Sequence, residues 1–270
     1  MHSETPKTLN NYFDEIYCIN LDSRPDRWSR VNARFQKLAI NVRRFSAADG
    51  YSENLIREYE SIHVKLKEKR KLQPYYLKNS RALGCLISGM QIIEDAKRNG
   101  YQKILLFDDD VIFHKNFKNL LNNLQGLPPW KLLYLGSSQH QWEQIEISEK
   151  CFYKAKNTHG TFAIGIDCSI YDEILLLYSE KEKNCDVYLM EIHNRYPHEC
   201  LTLFPNLVIA DVYDSTIRDR RNQHAHADGV KWQLADYEMG YGYFVRSILG
   251  IFSYKRISSA YHSWIKKSIG

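Results

Sequence analysis

The chain has 270 residues, 44% apolar and 26% charged, and a formal net charge of +5 set against 32 acidic side chains. That size buries a full core without disulfides, and so modest and mixed a charge excludes a dedicated nucleic-acid binder while leaving anionic small molecules and surfaces as partners. The six cysteines stand singly with neither a Cys-x-x-Cys pair nor zinc-ligand spacing, the polar opening lacks a secretory apolar core, and no uncharged run reaches membrane-spanning length, so a reducing, cytoplasmic setting is expected.

The apolar run Glu15 to Leu21 reads as a strand, and Asp22-Ser23-Arg24-Pro25-Asp26 opens a helix with Pro at its first position. Trp28, Val31, Phe35 and Leu38 recur at helical spacing, and Val42 to Ala47 returns to strand character before Asp49-Gly50, completing a right-handed β-α-β unit. Between Ser52 and Lys78 the pattern loosens into a charged insertion. Its cations Lys65, Lys67, Lys69, Arg70 and Lys71 suit either a hydrated face or a basic lid over phosphates. Leu83, Ile87, Met90, Ile93 and Ala96 or Lys97 define a helix stopped by Asn99-Gly100. A strand from Ile104 to Phe107 follows and runs into Asp108-Asp109-Asp110, after which Val111 to Phe113 is apolar again.

Further strands are expected over Leu132 to Leu135, Thr161 to Ile166 and Leu207 to Val212, with helices from Ser169 to Tyr178 and from about Asp186. This alternation predicts an α/β domain over residues 10–225 whose central sheet is mixed, mostly parallel and flanked by helices. The remainder, 226–270, is read as a basic amphipathic tail suited either to packing on the domain or to peripheral contact with an anionic membrane surface.

The aspartate triplet carries the chemistry. Three adjacent carboxylates at the end of a buried strand repel one another unless a cation neutralises them, and in an open α/β sheet ligands gather at the carboxyl ends of strands. In extended geometry Asp108 and Asp110 share one side, the spacing suited to Mn²⁺ or Mg²⁺ bridging a diphosphate; an exposed acidic turn is the alternative.

The order of motifs resembles glycosyltransferase family 25, which includes lipopolysaccharide sugar transferases and collagen galactosyltransferases. Ile19-Asn20-Leu21-Asp22-Ser23-Arg24-Pro25-Asp26-Arg27 is similar to that family's opening motif, and Arg44-Phe45-Ser46-Ala47-Ala48-Asp49-Gly50 to its second turn. Gly84-Cys85-Leu86-Ile87-Ser88, Phe107-Asp108-Asp109-Asp110-Val111, Thr161 to Gly165, Asp186-Val187-Tyr188-Leu189 and Phe204-Pro205 through Ile217 resemble the later motifs in order. Two departures stand out: Gly89 lies where the family has His, and Asp108 replaces a Glu.

The resemblance implies a GT-A nucleotide-sugar-binding sandwich with a UDP-sugar donor, UDP-galactose or UDP-glucose, and a hydroxyl acceptor on a glycan, glycolipid or hydroxylysine. It implies Asp108 and Asp110 as ligands of Mn²⁺ or Mg²⁺, and contacts to the nucleotide or its phosphates from Asn20, Leu21, Arg24, Arg27, Asp49, Asp109 and Arg218. His224 or His226 could complete the metal shell. Inversion at the sugar requires a base, for which Asp186 is the candidate, a helix N-cap being its alternative role. Arg24 and Arg27 alternatively pair with Asp22 and Asp26. Two other readings are a catalytically inactive GT-A-fold binding module and a metal-dependent phosphoryl-transfer or hydrolytic enzyme; the lack of a Walker-type glycine loop counts against the latter.

Overall fold

The computed structural model describes residues 8–72, 75–148, 151–215 and 222–239. In chain order the elements are β1 (Glu15–Asn20), α1 (Pro25–Lys37), β2 (Arg43–Ser46), α2 (Glu53–Leu72), α3 (Ser80–Asn99), β3 (Lys103–Asp108), β4 (Val111–Phe113), α4 (Phe117–Leu120), β5 (Leu132–Ser138), β6 (Phe152–Lys154), β7 (His159–Asp167), α5 (Tyr171–Ser179), α6 (Cys185–Arg195), β8 (Cys200–Leu203), β9 (Val208–Ala210) and α7 (Gln223–Val230).

Seven strands form one sheet in the order β2-β1-β3-β7-β5-β8-β6, and β4 pairs with β9 in a second, two-stranded sheet. β1 is parallel to both β2 and β3 and β5 is parallel to β8, while β7 and β6 run the other way; the central sheet is therefore mixed and mostly parallel, as expected. β1 joins β2 on one side and β3 on the other, so the strand order reverses at β1. A crevice opens at such a switch point, beyond the carboxyl ends of the strands.

Alternation along the strands builds a core on each face. On β3, Leu105 and Phe107 face a cluster that includes Val31 and Phe35 of α1, whereas Ile104 and Leu106 face one that includes Leu83, Leu86 and Ile93 of α3. The helix terminations follow their sequence signals. Pro25 stands at the start of α1, Asn79 caps α3 by accepting from the Ala82 amide, and Gly100 closes α3 in the left-handed conformation at φ 72°.

The structure corrects the loose insertion: most of it is α2, a 20-residue helix. Tyr59 and Leu66 are buried against α3 and Ile62 packs beside them, a helical stripe hidden in sequence by the lysines and glutamates around it. Lys65 and Lys67 are exposed and Lys69 pairs with Glu182 at 2.5 Å, so these three form a hydrated face of α2; the side chains of Arg70 and Lys71 lie outside those described. The short strands β6 and β8 were not anticipated. α7 runs across the expected boundary at 225/226, and Ala227, Val230, Trp232 and Tyr237 are buried in the α1-side core. The rest of the tail, 240–270, lies outside the described residues. Among the described residues no helix is long and apolar enough to cross a membrane, and all six cysteines are free thiols.

Candidate active site

The carboxyl ends of β1 and β3 deliver the acidic turn to a cleft whose walls include Leu21, Asp49, Tyr51, Arg81, Cys85 and Ser215, together with all three aspartates. Arg27, in the first turn of α1, is only 4% exposed, and its Nη2 lies 2.8 Å from both Asp109 Oδ1 and Asp110 Oδ2. Asn20, at the end of β1 and equally buried, donates from Nδ2 to Asp109 Oδ2 at 2.7 Å and to the Arg24 carbonyl at 3.0 Å; Arg44 Nε donates to Asn20 Oδ1 at 2.9 Å. Arg44, Asn20, Asp109, Arg27 and Asp110 thus form one chain of polar contacts across β2, β1, β3 and α1.

This arrangement gives both arginines partners within the chain. Arg27 lines the same cleft and is buried as the counter-cation of Asp109 and Asp110 rather than lying on the outer helix surface beside Asp22 or Asp26. Arg24 makes a two-pronged pair with Asp26, Nε to Oδ1 at 2.9 Å and Nη2 to Oδ2 at 3.0 Å, on the outside of the site. Asp49 and Leu21 line the cleft, and Arg218 lies outside the described residues.

One guanidinium does not offset three carboxylates. Burial pushes Asp110 up to about 7 against the pull of Arg27, with Asp109 and Asp211 adding to the rise. Burial also raises Asp109 despite Arg27 and Asn20, and it raises Asp108 well above the ordinary carboxylate range, aided by Asp110, Cys85 and Asp109. Asp110 Oδ1 is buried without a hydrogen-bond partner, and no described residue donates to Asp108. The turn therefore presents two underused carboxylates beside a cleft, a donor set of hard oxygens that fits Mg²⁺ or Mn²⁺. Among the described residues no group of three or more His, Cys, Asp or Glu could hold a metal, so the chain would supply Asp108 and Asp110, leaving the other positions to water and phosphate oxygens. His224 and His226, on α7, belong to no such group.

Two glycines shape the opposite wall. A Cβ on Gly84 would lie 2.6 Å from the Ala48 carbonyl, and one on Gly50 2.3 Å from Arg81 Cα, so the 47–50 loop and the start of α3 touch backbone to backbone. Ser88 pins the same loop, its Oγ accepting from the Ala48 amide at 2.9 Å and donating to the Gly84 carbonyl at 2.8 Å. Gly50→Ala is expected to lower stability by about 1–3 kcal/mol by overpacking and to weaken nucleotide binding; thermal melts and calorimetric UDP titration check it. Gly229→Ala, where a Cβ meets nothing within 4 Å, should do neither. Sequence reasoning missed Tyr51, which is 61% exposed, and Arg81, whose guanidinium lies 5.7 Å from the Tyr51 ring centroid. The only available signal was that Arg81 immediately precedes the apolar stripe of α3.

Asp186 is not the N-cap of α6. Asn184 holds that position, and Asp186, 9% exposed in the first turn, meets His159 Nδ1 through Oδ2 at 3.2 Å. The His140 ring packs edge-on to those of His159 and His226, with centroids 5.6 and 6.1 Å apart, and His226 Nε2 shares a 3.3 Å hydrogen bond with Ser138 Oγ. Below them His193 is held at about 4 by burial and by His159, with Nε2 2.9 Å from Tyr134 Oη.

Residues 13–189 match the model of a family described as glycosyltransferase family 25 (LPS biosynthesis protein). Procollagen galactosyltransferase 1 of Danio rerio is 28% identical over 206 residues, 72% of this chain and 34% of that protein. Inactive glycosyltransferase 25 family member 3 of Homo sapiens is 33% identical over 137 residues, 47% of this chain and 22% of that protein. The chain spans about a third of the length of the curated relatives it matches. A solved glycosyltransferase involved in glycosylation of the major capsid of PBCV-1 is similar over 61% of this chain and 64% of its own, with 9% identity and a TM-score of 0.30, which adds nothing to the strand order above.

Proposed function

This chain belongs to glycosyltransferase family 25, and on that premise we propose that its cleft binds a UDP-hexose, UDP-galactose or UDP-glucose, and passes the sugar to a hydroxyl of a glycan, glycolipid or hydroxylysine. The observation that carries this reading is the pair of unsatisfied carboxylates, Asp108 and Asp110 Oδ1, held beside the cleft at the switch point of the sheet.

Asp108 and Asp110 would hold Mn²⁺ or Mg²⁺, which when bound supplies positive charge to the diphosphate as it departs. Arg27 and Asn20 keep the turn rigid, fixing Asp109 from two sides and leaving one oxygen of Asp110 free. Leu21 and Asp49 would flank the nucleotide, and Arg81 at the opposite wall offers a guanidinium to its phosphates. An inverting, in-line displacement needs a proton acceptor on the face away from the leaving group, the role proposed for the polar group around Asp186.

Purified protein is expected to cleave a UDP-hexose only with Mn²⁺ or Mg²⁺ present and to lose turnover on chelation, with UDP affinity by calorimetry falling at least tenfold. Absence of both UDP binding and UDP-sugar cleavage under saturating Mn²⁺ overturns the assignment. The inactive-module reading has its own support, since four similar relatives are named inactive or probable inactive; metal and UDP binding without turnover across a broad acceptor panel would select it.

A further inference from the structure

We propose that the base in this reaction is a His159–Asp186 dyad, in which His159 Nε2 takes the acceptor's proton and Asp186 orients the ring; this rests on the transferase reading above. Asp186 is the less accessible partner. Its side chain is 12% exposed against 30% for His159, and its Oδ2 is directed at Nδ1 of that ring. An ionised carboxylate can only accept, so it selects the tautomer with the proton on Nδ1 and leaves the Nε2 lone pair available.

The topology puts this ring beside the acidic turn. β7 is antiparallel to β3, with Ala163 opposite Phe107, and His159 is its first residue, opposite Ser138 of β5. Between Ala163 and His159 β7 advances by only two residues of β5, Gly136 to Ser138, with Gly160 at φ 90°, and so carries His159 roughly 7 Å past the level of Phe107. The three aspartates leave β3 in that same direction, one strand over. His159 thus stands at the same carboxyl edge of the sheet as the proposed metal ligands Asp108 and Asp110, on a separate element, and Asp186 and Asp108 both act on the buried Cys185 thiol between them.

In the step, the acceptor oxygen bonds to the anomeric carbon while the bond from that carbon to the diphosphate oxygen breaks, its electron pair leaving with UDP. The hydroxyl proton passes to His159 Nε2, giving an imidazolium paired with Asp186, and is later released to water. The titratable groups facing this ring are Asp186 and His193 from α6 and His140 from the segment after β5, with His226 of α7 beyond His140.

The test uses the full chain with Mn²⁺, UDP-hexose and an acceptor on which the wild type turns over. His159→Gln is expected to lower kcat by about 10²–10⁴-fold, to leave UDP affinity within twofold, and to abolish the limb of the pH–kcat/KM profile in which rate rises with pH. His159→Ala should regain activity with added imidazole, a response that a packing role would not give. Asp186→Asn should reduce kcat while retaining the rising limb. Wild-type kcat in His159→Gln, or an unchanged pH profile without imidazole rescue of His159→Ala, overturns the dyad alone. A wild type that neither binds UDP nor turns over any UDP-hexose removes the transferase reading and the dyad with it.

Discussion

Asp108→Asn is expected to abolish sugar transfer while making the protein more stable. The side chain stands against Asp109 and Asp110 with no described donor, and its carboxyl is raised well above the ordinary range by burial and by those neighbours. A folded-state carboxyl raised in this way contributes stability below its unfolded value and loses it as pH rises through the folded value. Above the unfolded value the wild type is therefore destabilised, either by holding a proton against the solution or by burying a charge, a cost that asparagine, of nearly the same shape, lacks. The gain should be about 1 kcal/mol, or roughly 2–4 °C in Tm, and should shrink as pH is lowered. Turnover should fall by about 10²–10³-fold, because the carboxyl that destabilises the metal-free fold is the one that would hold the cation against the diphosphate. Added Mn²⁺ at 100 times its Kd should stabilise the wild type by about 2.7 kcal/mol, and the variant much less. A lower Tm for Asp108→Asn together with an undiminished Mn²⁺ response would show that Asp108 is neither strained nor a metal ligand.

The second large effect is expected at Arg27. Replacing it by Met keeps much of the volume but strands Asp109 and Asp110, and breaking such a buried pair costs about 3–5 kcal/mol, on the order of 10 °C in Tm for a domain of this size. The sign with pH is opposite to that of an ordinary acid-labile salt bridge. Asp110 lies at about 7 even with Arg27 in place; without the guanidinium it rises further, so protonation below neutral pH relieves the unpaired charge. The deficit of Arg27→Met should therefore narrow from pH 8 to pH 5, measured by thermal melts across that range, and Arg27→Lys should fall between. Had Arg27 been a surface contact to donor phosphate, its loss would raise KM and leave Tm in place. That outcome would contradict the geometry.

The contrast between Arg24 and Arg27 shows how much was legible. Both precede or enter the same helix, both are flanked by acids, and for both the resemblance implies a donor contact with pairing to Asp22 and Asp26 as the alternative. Yet Arg27 is in phase with Val31 and Phe35 at positions i, i+4 and i+8, the residues of α1 that are buried, while Arg24 and Arg30 pair outward with Asp26. The period placed Arg27 on the inner face, but residue type argued for the surface, because a buried cation is expected only where partners are already known. Those partners lie more than eighty residues later in the chain. The 53–72 helix was obscured for a related reason: its buried stripe of Tyr59, Ile62 and Leu66 is narrow, and composition outweighed spacing.

The sequence by itself determined the alternation of strands and helices, the helix stops at Asn99-Gly100 and Pro25, the delivery of three aspartates by a buried strand, and the order of motifs that marks the family. These are properties of neighbouring residues, set by side-chain period, backbone preference and local charge. Only the tertiary structure decided which carboxylate oxygens remain without a donor, that Arg27 pairs with Asp109 and Asp110, and that Asp186 faces His159. Each depends on charges and hydrogen-bond partners brought together across strand ends, and burial governs their strength only after the sheet has closed around them.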